Sequence, residues 1–171
     1  MNATPETATA MMPRKDVTCE LPDPRASEAL GERIAGQLQR GDVVALFGDL
    51  GSGKTTLSRG VLRGLGHTGP VPSPTFTLVQ HYETRDLTVA HFDLYRLAAR
   101  DEIFELGLDE ACHEGAVLIE WPEILEDGLP AERLEVHLSD IGDGRAARHA
   151  ADPPDARGRG PAHQRADRAC L

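Results

Sequence analysis

Apolar residues in this chain fall into short unbroken runs separated by stretches with helical spacing, which predicts strands and helices in alternation. Residues 17–21 read as a short strand. Pro24 leads into a helix capped by Ser27, with Leu30, Ile34, Ala35 and Leu38 on one face. Gly41 is the expected glycine just past its end. Residues 43–47 are apolar without interruption, the pattern of a strand covered on both faces. A second helix keeps Leu57, Val61, Leu62 and Leu65 inward and stops at Gly66. Next, Gly69-Pro70-Val71-Pro72-Ser73-Pro74-Thr75 holds three prolines in five residues, which fixes extended backbone. Residues 76–82 and 87–94 read as strands, and the short link between them predicts an antiparallel hairpin. The sheet is therefore expected to be mixed. Residues 101–106 suggest a short helix, and residues 116–119 form a buried strand running into Glu120-Trp121-Pro122. Residues 133–138 alternate as a half-buried strand does.

Composition narrows the class. A length of 171 residues suits one domain with a real core. A net charge of −10 argues against autonomous binding to a nucleic-acid backbone, though not against tRNA reached through a partner. Cys19, Cys112 and Cys170 are far apart with no C-x-x-C, and read as reduced thiols of a cytoplasmic protein. No apolar run approaches the roughly 18 residues of a membrane span, and the N-terminus lacks a secretory apolar region. Residues 1–15 are expected to be a disordered extension, with Met11 and Met12 as further candidate starts. Residues 16–148 are the expected domain and 149–171 a disordered tail. Beyond Arg145 only Leu171 is a large aliphatic residue. Such a segment cannot offset the ~1–2 kcal/mol per residue of lost chain entropy. A basic RNA-binding arm is the competing reading, and three aspartates dilute its five arginines.

The chemistry begins where the 43–47 run ends. Gly48-Asp49-Leu50-Gly51-Ser52-Gly53-Lys54-Thr55 is a complete G-x-x-x-x-G-K-[ST] pattern between a strand and a helix. Its glycines let backbone N–H groups converge on phosphate oxygens, Lys54 reaches the β- and γ-phosphates, and the Thr55 hydroxyl is placed for Mg²⁺. The whole predicts an α/β, P-loop NTPase-like three-layer fold with a mixed, partly antiparallel central sheet. A second acid is needed for the metal, and two strand ends offer one: Glu120 and Asp93. His91 shares a strand face with Asp93 and reads as a satisfied histidine in preference to a ligand. Trp121 is either core packing or a wall of the nucleotide site. Ser73-Pro74-Thr75 sits where nucleotide switches place a γ-phosphate-sensing loop, with a plain turn as the alternative reading. The chain lacks Asn-Lys-x-Asp, the Leu-Ser-Gly-Gly-Gln signature and an arginine-rich lid, so neither a GTPase, a transporter ATPase nor a typical small-molecule kinase is indicated.

Four blocks in order, Gly48 to Thr56, Ser73-Pro74-Thr75-Phe76-Thr77-Leu78-Val79, His91-Phe92-Asp93-Leu94-Tyr95-Arg96-Leu97 and Glu120-Trp121-Pro122, resemble the TsaE (YjeE) family of bacterial ATPases. Gly144-Arg145 is a weaker match, and the similarity spans about residues 17–148. The resemblance implies an ATP hydrolase of low intrinsic activity that serves threonylcarbamoyladenosine modification of tRNAs reading ANN codons. The resemblance also implies that it acts as partner of a TsaD–TsaB complex and meets tRNA only through that complex. It implies ATP and Mg²⁺ as cofactors, with nucleotide contacts on Gly51, Ser52, Gly53, Lys54, Thr55, Thr56, Asp93 and Arg145. Metal falls on Thr55 and Glu120, and catalytic roles on Lys54, Asp93 and Glu120. Relatives continue past the Gly-Arg pair with another apolar stretch. Here the composition turns to that of GC-rich DNA read in a shifted frame, so a frameshifted tail is expected. Two other readings are a nucleotide-dependent binding module and a small-molecule kinase.

Overall fold

A computed structural model describes residues 17–99, 101–140 and 145–151. In chain order its elements are β1 (Val17–Leu21), α1 (Pro24–Ala35), β2 (Val43–Phe47), α2 (Lys54–Gly64), β3 (Val79–Glu83) and β4 (Thr88–Asp93). There follow α3 (Glu102–Glu105), α4 (Leu108–Glu114), β5 (Ala116–Glu120), a 3₁₀ segment Pro122–Gly128, β6 (Leu134–Asp140) and β7 (Arg145–Ala151). The strands make one sheet in the order β1-β7-β6-β2-β5-β4-β3. β4, β5, β2 and β6 are mutually parallel and occupy its middle. β3 and β7 run antiparallel to their inner neighbours, and β1 antiparallel to β7. The sheet is thus mixed, and the expected hairpin is β3–β4.

The unbroken apolar runs end up at the centre because they have no polar face to offer water. Alternate residues feed two layers. Val44, Leu46, Val89 and Leu118 pack with Leu30, Ile34, Leu57 and Val61 from α1 and α2. Val43, Phe92, Val117 and Ile119 pack with Ile103, Leu108 and Leu125 on the opposite face. This is the three-layer arrangement. α1 and α2 meet backbone to backbone: a Cβ on Gly60 would strike the Glu28 carbonyl, and one on Gly31 the Leu57 carbonyl. That contact seats α2, and with it the loop preceding it, firmly on the sheet.

Several local expectations are corrected. The N-cap of α1 is Asp23, whose Oδ1 accepts from the Ala26 N–H at 2.8 Å, with Pro24 in the first turn. An Asp-Pro pair satisfies the helix start one turn earlier than Ser27, which is buried inside the helix. The helix ends at Gly36, while Gly41 (φ 89°) donates its N–H to the Gly115 carbonyl at 2.7 Å and ties the start of β2 to β5. β3 starts at Val79, later than the apolar pattern suggests. Residues 74–78 form a turn closed by the Leu78 N–H on the Pro74 carbonyl at 2.7 Å, which leaves Phe76 80% exposed. α4 and the 3₁₀ segment are additional elements; both are too short to show a periodic face.

The tail expected from residue 149 begins inside β7, which runs to Ala151. β7 escapes an apolar count because backbone pairing on both sides, to β1 and to β6, recruits it into the sheet. Residues 1–16 and 152–171, which hold the expected extension at 1–15 and the rest of the expected tail, lie outside the described residues, as does Cys170. Among the described residues Cys19 and Cys112 form no disulfide. Among the described residues no helix is long and apolar enough to cross a membrane. Among the described residues β1 reaches the sheet only through β7. A chain ending at Gly144 is therefore expected to lose several degrees of melting temperature, and one ending at Ala151 to melt with the full-length protein. Thermal melts of the two truncations check this; equal melts for both would remove β7 from the folded unit.

Candidate nucleotide site

The four central strands point the same way, so the ends of β2, β4 and β5 lie along one edge of the sheet. The phosphate loop leaves the end of β2 there. Gly48 takes φ 137°, and a Cβ on it would collide with the Leu138 carbonyl of β6, so only glycine lets the loop start so close to the sheet. Gly51 and Gly53 also have positive φ (79° and 104°), and Lys54 opens α2 directly after them.

Lys54 is buried at 5% exposure. Its Nζ donates to the carbonyls of Gly48 and Asp49 and lies 3.8 Å above the centroid of the Trp121 ring. Burial pulls the Lys54 ammonium below the ordinary lysine value, while the carboxylates of Glu120, Glu123, Asp93 and Asp49 act in the opposite direction. Trp121 itself has φ 58°, turns the chain out of β5, and sets its ring 4.9 Å from that of Tyr95. The ring therefore serves both readings given to it: it packs on the core and it walls the site.

Both candidate acids sit on the α2 side of the sheet at paired positions, Asp93 on β4 opposite Glu120 on β5. Each is 2% exposed. Buried carboxylates need partners, and the two have different ones. Glu120 takes the Thr55 hydroxyl on Oε2 at 3.0 Å. On Oε1 it takes His91 Nε2 at 2.8 Å and the Ser58 hydroxyl at 3.3 Å. Asp93 takes the hydroxyls of Thr75 (2.6 Å) and Ser73 (3.0 Å) on Oδ2, and the Tyr95 N–H on Oδ1 at 3.0 Å. Glu120 is thus bound to the phosphate-loop helix, and Asp93 to the proline-rich loop.

A cavity of about 470 Å³ opens between them, lined among others by Gly51, Gly53, Lys54, Thr55 and Thr56 from the loop and helix. Asp93, Glu120, Ser73, Thr75, Tyr95 and Trp121 complete it. That volume suits a nucleotide. The residues also fit a phosphate-bound Mg²⁺, which takes one or two protein oxygens plus phosphates. Thr55 and Glu120 converge at the positive end of α2. The Ser52 hydroxyl in the loop is buried without a hydrogen-bond partner. Among the described residues no group of three or more His, Cys, Asp or Glu could hold a metal by protein side chains alone.

The structure thus brings together Gly51 to Thr56, Asp93 and Glu120. Arg145 begins β7 opposite Asp140, and its side chain lies outside the described residues. Sequence reasoning missed Arg96, which lines the cavity and lays its guanidinium 4.3 Å over the exposed Phe76 ring. It also missed Ser58, one turn after Lys54, whose helical spacing from Thr55 was the available signal.

A family model described as "Threonylcarbamoyl adenosine biosynthesis protein TsaE" matches residues 21–149. The chain belongs to the TsaE family. The Bacillus subtilis (strain 168) tRNA threonylcarbamoyladenosine biosynthesis protein TsaE is 43% identical over 122 residues, 71% of this chain and 76% of that protein. The Haemophilus influenzae protein of the same name is 38% identical over 137 residues, 77% of this chain and 87% of that one. The crystal structure of Bacillus subtilis YdiB aligns with a TM-score of 0.73 at 32% identity, covering 93% of this chain and 94% of that one. The TsaE match includes the phosphate loop, both acids and most of β7.

The clasp on Asp93 is open to test. Replacing both hydroxyls, Ser73→Ala with Thr75→Val, is expected to free residues 73–78 and to speed amide exchange at Leu78 about tenfold or more, ~1.4 kcal/mol of local opening. Exchange in β5 should stay unchanged. Unaltered exchange at Leu78 would mean that Asp93 does not hold the loop.

Proposed function

We propose that this TsaE-family chain binds ATP with Mg²⁺ in the cavity at the sheet edge and hydrolyses it. In this reading it is the cytoplasmic accessory ATPase of tRNA threonylcarbamoyladenosine formation, acting with TsaD and TsaB. The observation that carries the reading is the contact between Thr55 and Glu120 at the start of the phosphate-loop helix, 3.0 Å across, with Asp93 paired beside Glu120. Thr55 and Glu120 would hold the metal, which supplies charge neutralisation on phosphate oxygens when bound. The backbone of Gly51 to Thr56 would cradle the phosphates, and Lys54 would exchange its carbonyl partners for phosphate oxygens. Asp93 would orient water or hold the metal through water. Arg145 remains a proposed nucleotide contact. The tRNA threonylcarbamoyladenosine biosynthesis role named for the Bacillus subtilis and Haemophilus influenzae relatives supports the tRNA assignment. The charge of −10 supports a route to tRNA through partners instead of direct binding.

Phosphate release from ATP by the purified chain, alone and with TsaD–TsaB, tests this. Release should be slow alone, rise with the partners, and require Mg²⁺. Transfer of the γ-phosphate to a small metabolite would instead favour a kinase, and nucleotide binding without partner-stimulated release would favour a binding module. Lys54→Ala should weaken nucleotide binding by about 1.5–3 kcal/mol, tenfold or more. Asp93→Ala should keep the nucleotide and lose release.

A further inference from the structure

The two oxygens of the Glu120 carboxylate are not equivalent. Oε2 accepts the Thr55 hydroxyl, and Thr55 and Glu120 both line the cavity. Oε1 accepts His91 Nε2 and the Ser58 hydroxyl, both fully buried. A carboxyl group turns easily about its last torsion, so without such anchors the two oxygens could exchange places. We propose that His91 is a positioning residue: with Ser58 it fixes Oε1 of Glu120 and leaves Oε2 as the one carboxylate oxygen offered, beside Thr55, to a nucleotide-bound divalent cation. This rests on the reading of Glu120 as the metal-side acid.

Three observations support it. The parallel register sets His91 opposite Leu118 and Asp93 opposite Glu120, so the imidazole reaches one pleat along the neighbouring strand to meet the acid. Strand pairing thus puts the imidazole within reach of the acid. The His91 side chain is wholly buried, and its other nitrogen, Nδ1, has no hydrogen-bond partner. A bare lone pair is less costly to leave unpaired than an N–H, so the proton belongs on Nε2, where it donates to Oε1. Finally, the single proton of the Ser58 hydroxyl is shared between Oε1 at 3.3 Å and the Lys54 carbonyl at 3.1 Å. The anchors on Oε1 therefore run into the same turn of α2 that carries Lys54 and Thr55.

The test compares ADP affinity with and without Mg²⁺, by calorimetry, in the wild type, His91→Leu, His91→Gln, Glu120→Gln and the His91→Leu/Glu120→Gln double variant. Losing an outer partner of a metal ligand costs about 10- to 100-fold in metal affinity. His91→Leu should accordingly lose at least about tenfold of the Mg²⁺ enhancement while metal-free ADP affinity changes less than about twofold. His91→Gln, whose amide can place a donor where Nε2 lies, should restore most of it. The double variant should be no worse than Glu120→Gln. An intact Mg²⁺ enhancement in folded His91→Leu, or losses that add in the double variant, would overturn the proposal. Should His91→Leu not fold, His91→Gln must still exceed the shorter His91→Asn in Mg²⁺ enhancement, and equality between them would overturn it. If Glu120→Gln itself keeps the full enhancement, the metal reading of Glu120 fails and this inference with it.

Discussion

A carboxylate buried at the end of a central strand is the constraint around which this molecule is arranged. Glu120 continues a wholly apolar run, and a helix and a neighbouring strand bring donors to its buried carboxylate. Those donors come from Thr55, Ser58 and His91. α2 must therefore start at the end of β2 and lie over β5, and β4 must pair with β5 in its observed register. Removing the acid's partners would leave an uncompensated buried charge, which is costly. The same interactions that satisfy the fold also gather the groups that face the cavity.

Asp93 repeats the arrangement one strand away and extends it outward. Its hydroxyl partners come from a loop stiffened by prolines, so the position of that loop is read directly by an acid of the site. Among the described residues Leu50, Phe76 and Tyr95 are the large exposed apolar side chains, and Leu50 and Tyr95 also line the cavity. Order at the sheet edge and exposure at its rim are thus a few residues apart.

Much of this was legible in the sequence, for identifiable reasons. The phosphate loop could be read because its spacing is imposed by backbone geometry, and Glu120 and Asp93 because an acid ending an apolar run has to be explained. The β3–β4 hairpin followed from a short link between two strand patterns. What escaped lacks such a local signature. β7 is held by pairing to β1 and β6, distant in the chain. Ser27 looked like a cap because the Asp23-Pro24 start lay one turn earlier. The turn at residues 74–78 placed Phe76 outside the strand its apolar character suggested. Which of two acids meets Thr55 depends on strand order, which no local pattern encodes; the family resemblance supplied that assignment.

Trp121 is the only tryptophan in the chain, and its ring lies directly beneath the Lys54 ammonium. If the cavity is the nucleotide site, phosphates must draw Lys54 from its resting contacts with the Gly48 and Asp49 carbonyls and from that ring. Titrating the protein with ATP, and separately with adenosine, while following tryptophan emission tests this most directly. The account predicts a saturable change with ATP and none of the same size with adenosine. An emission unmoved by saturating ATP, or moved equally by adenosine, would contradict it.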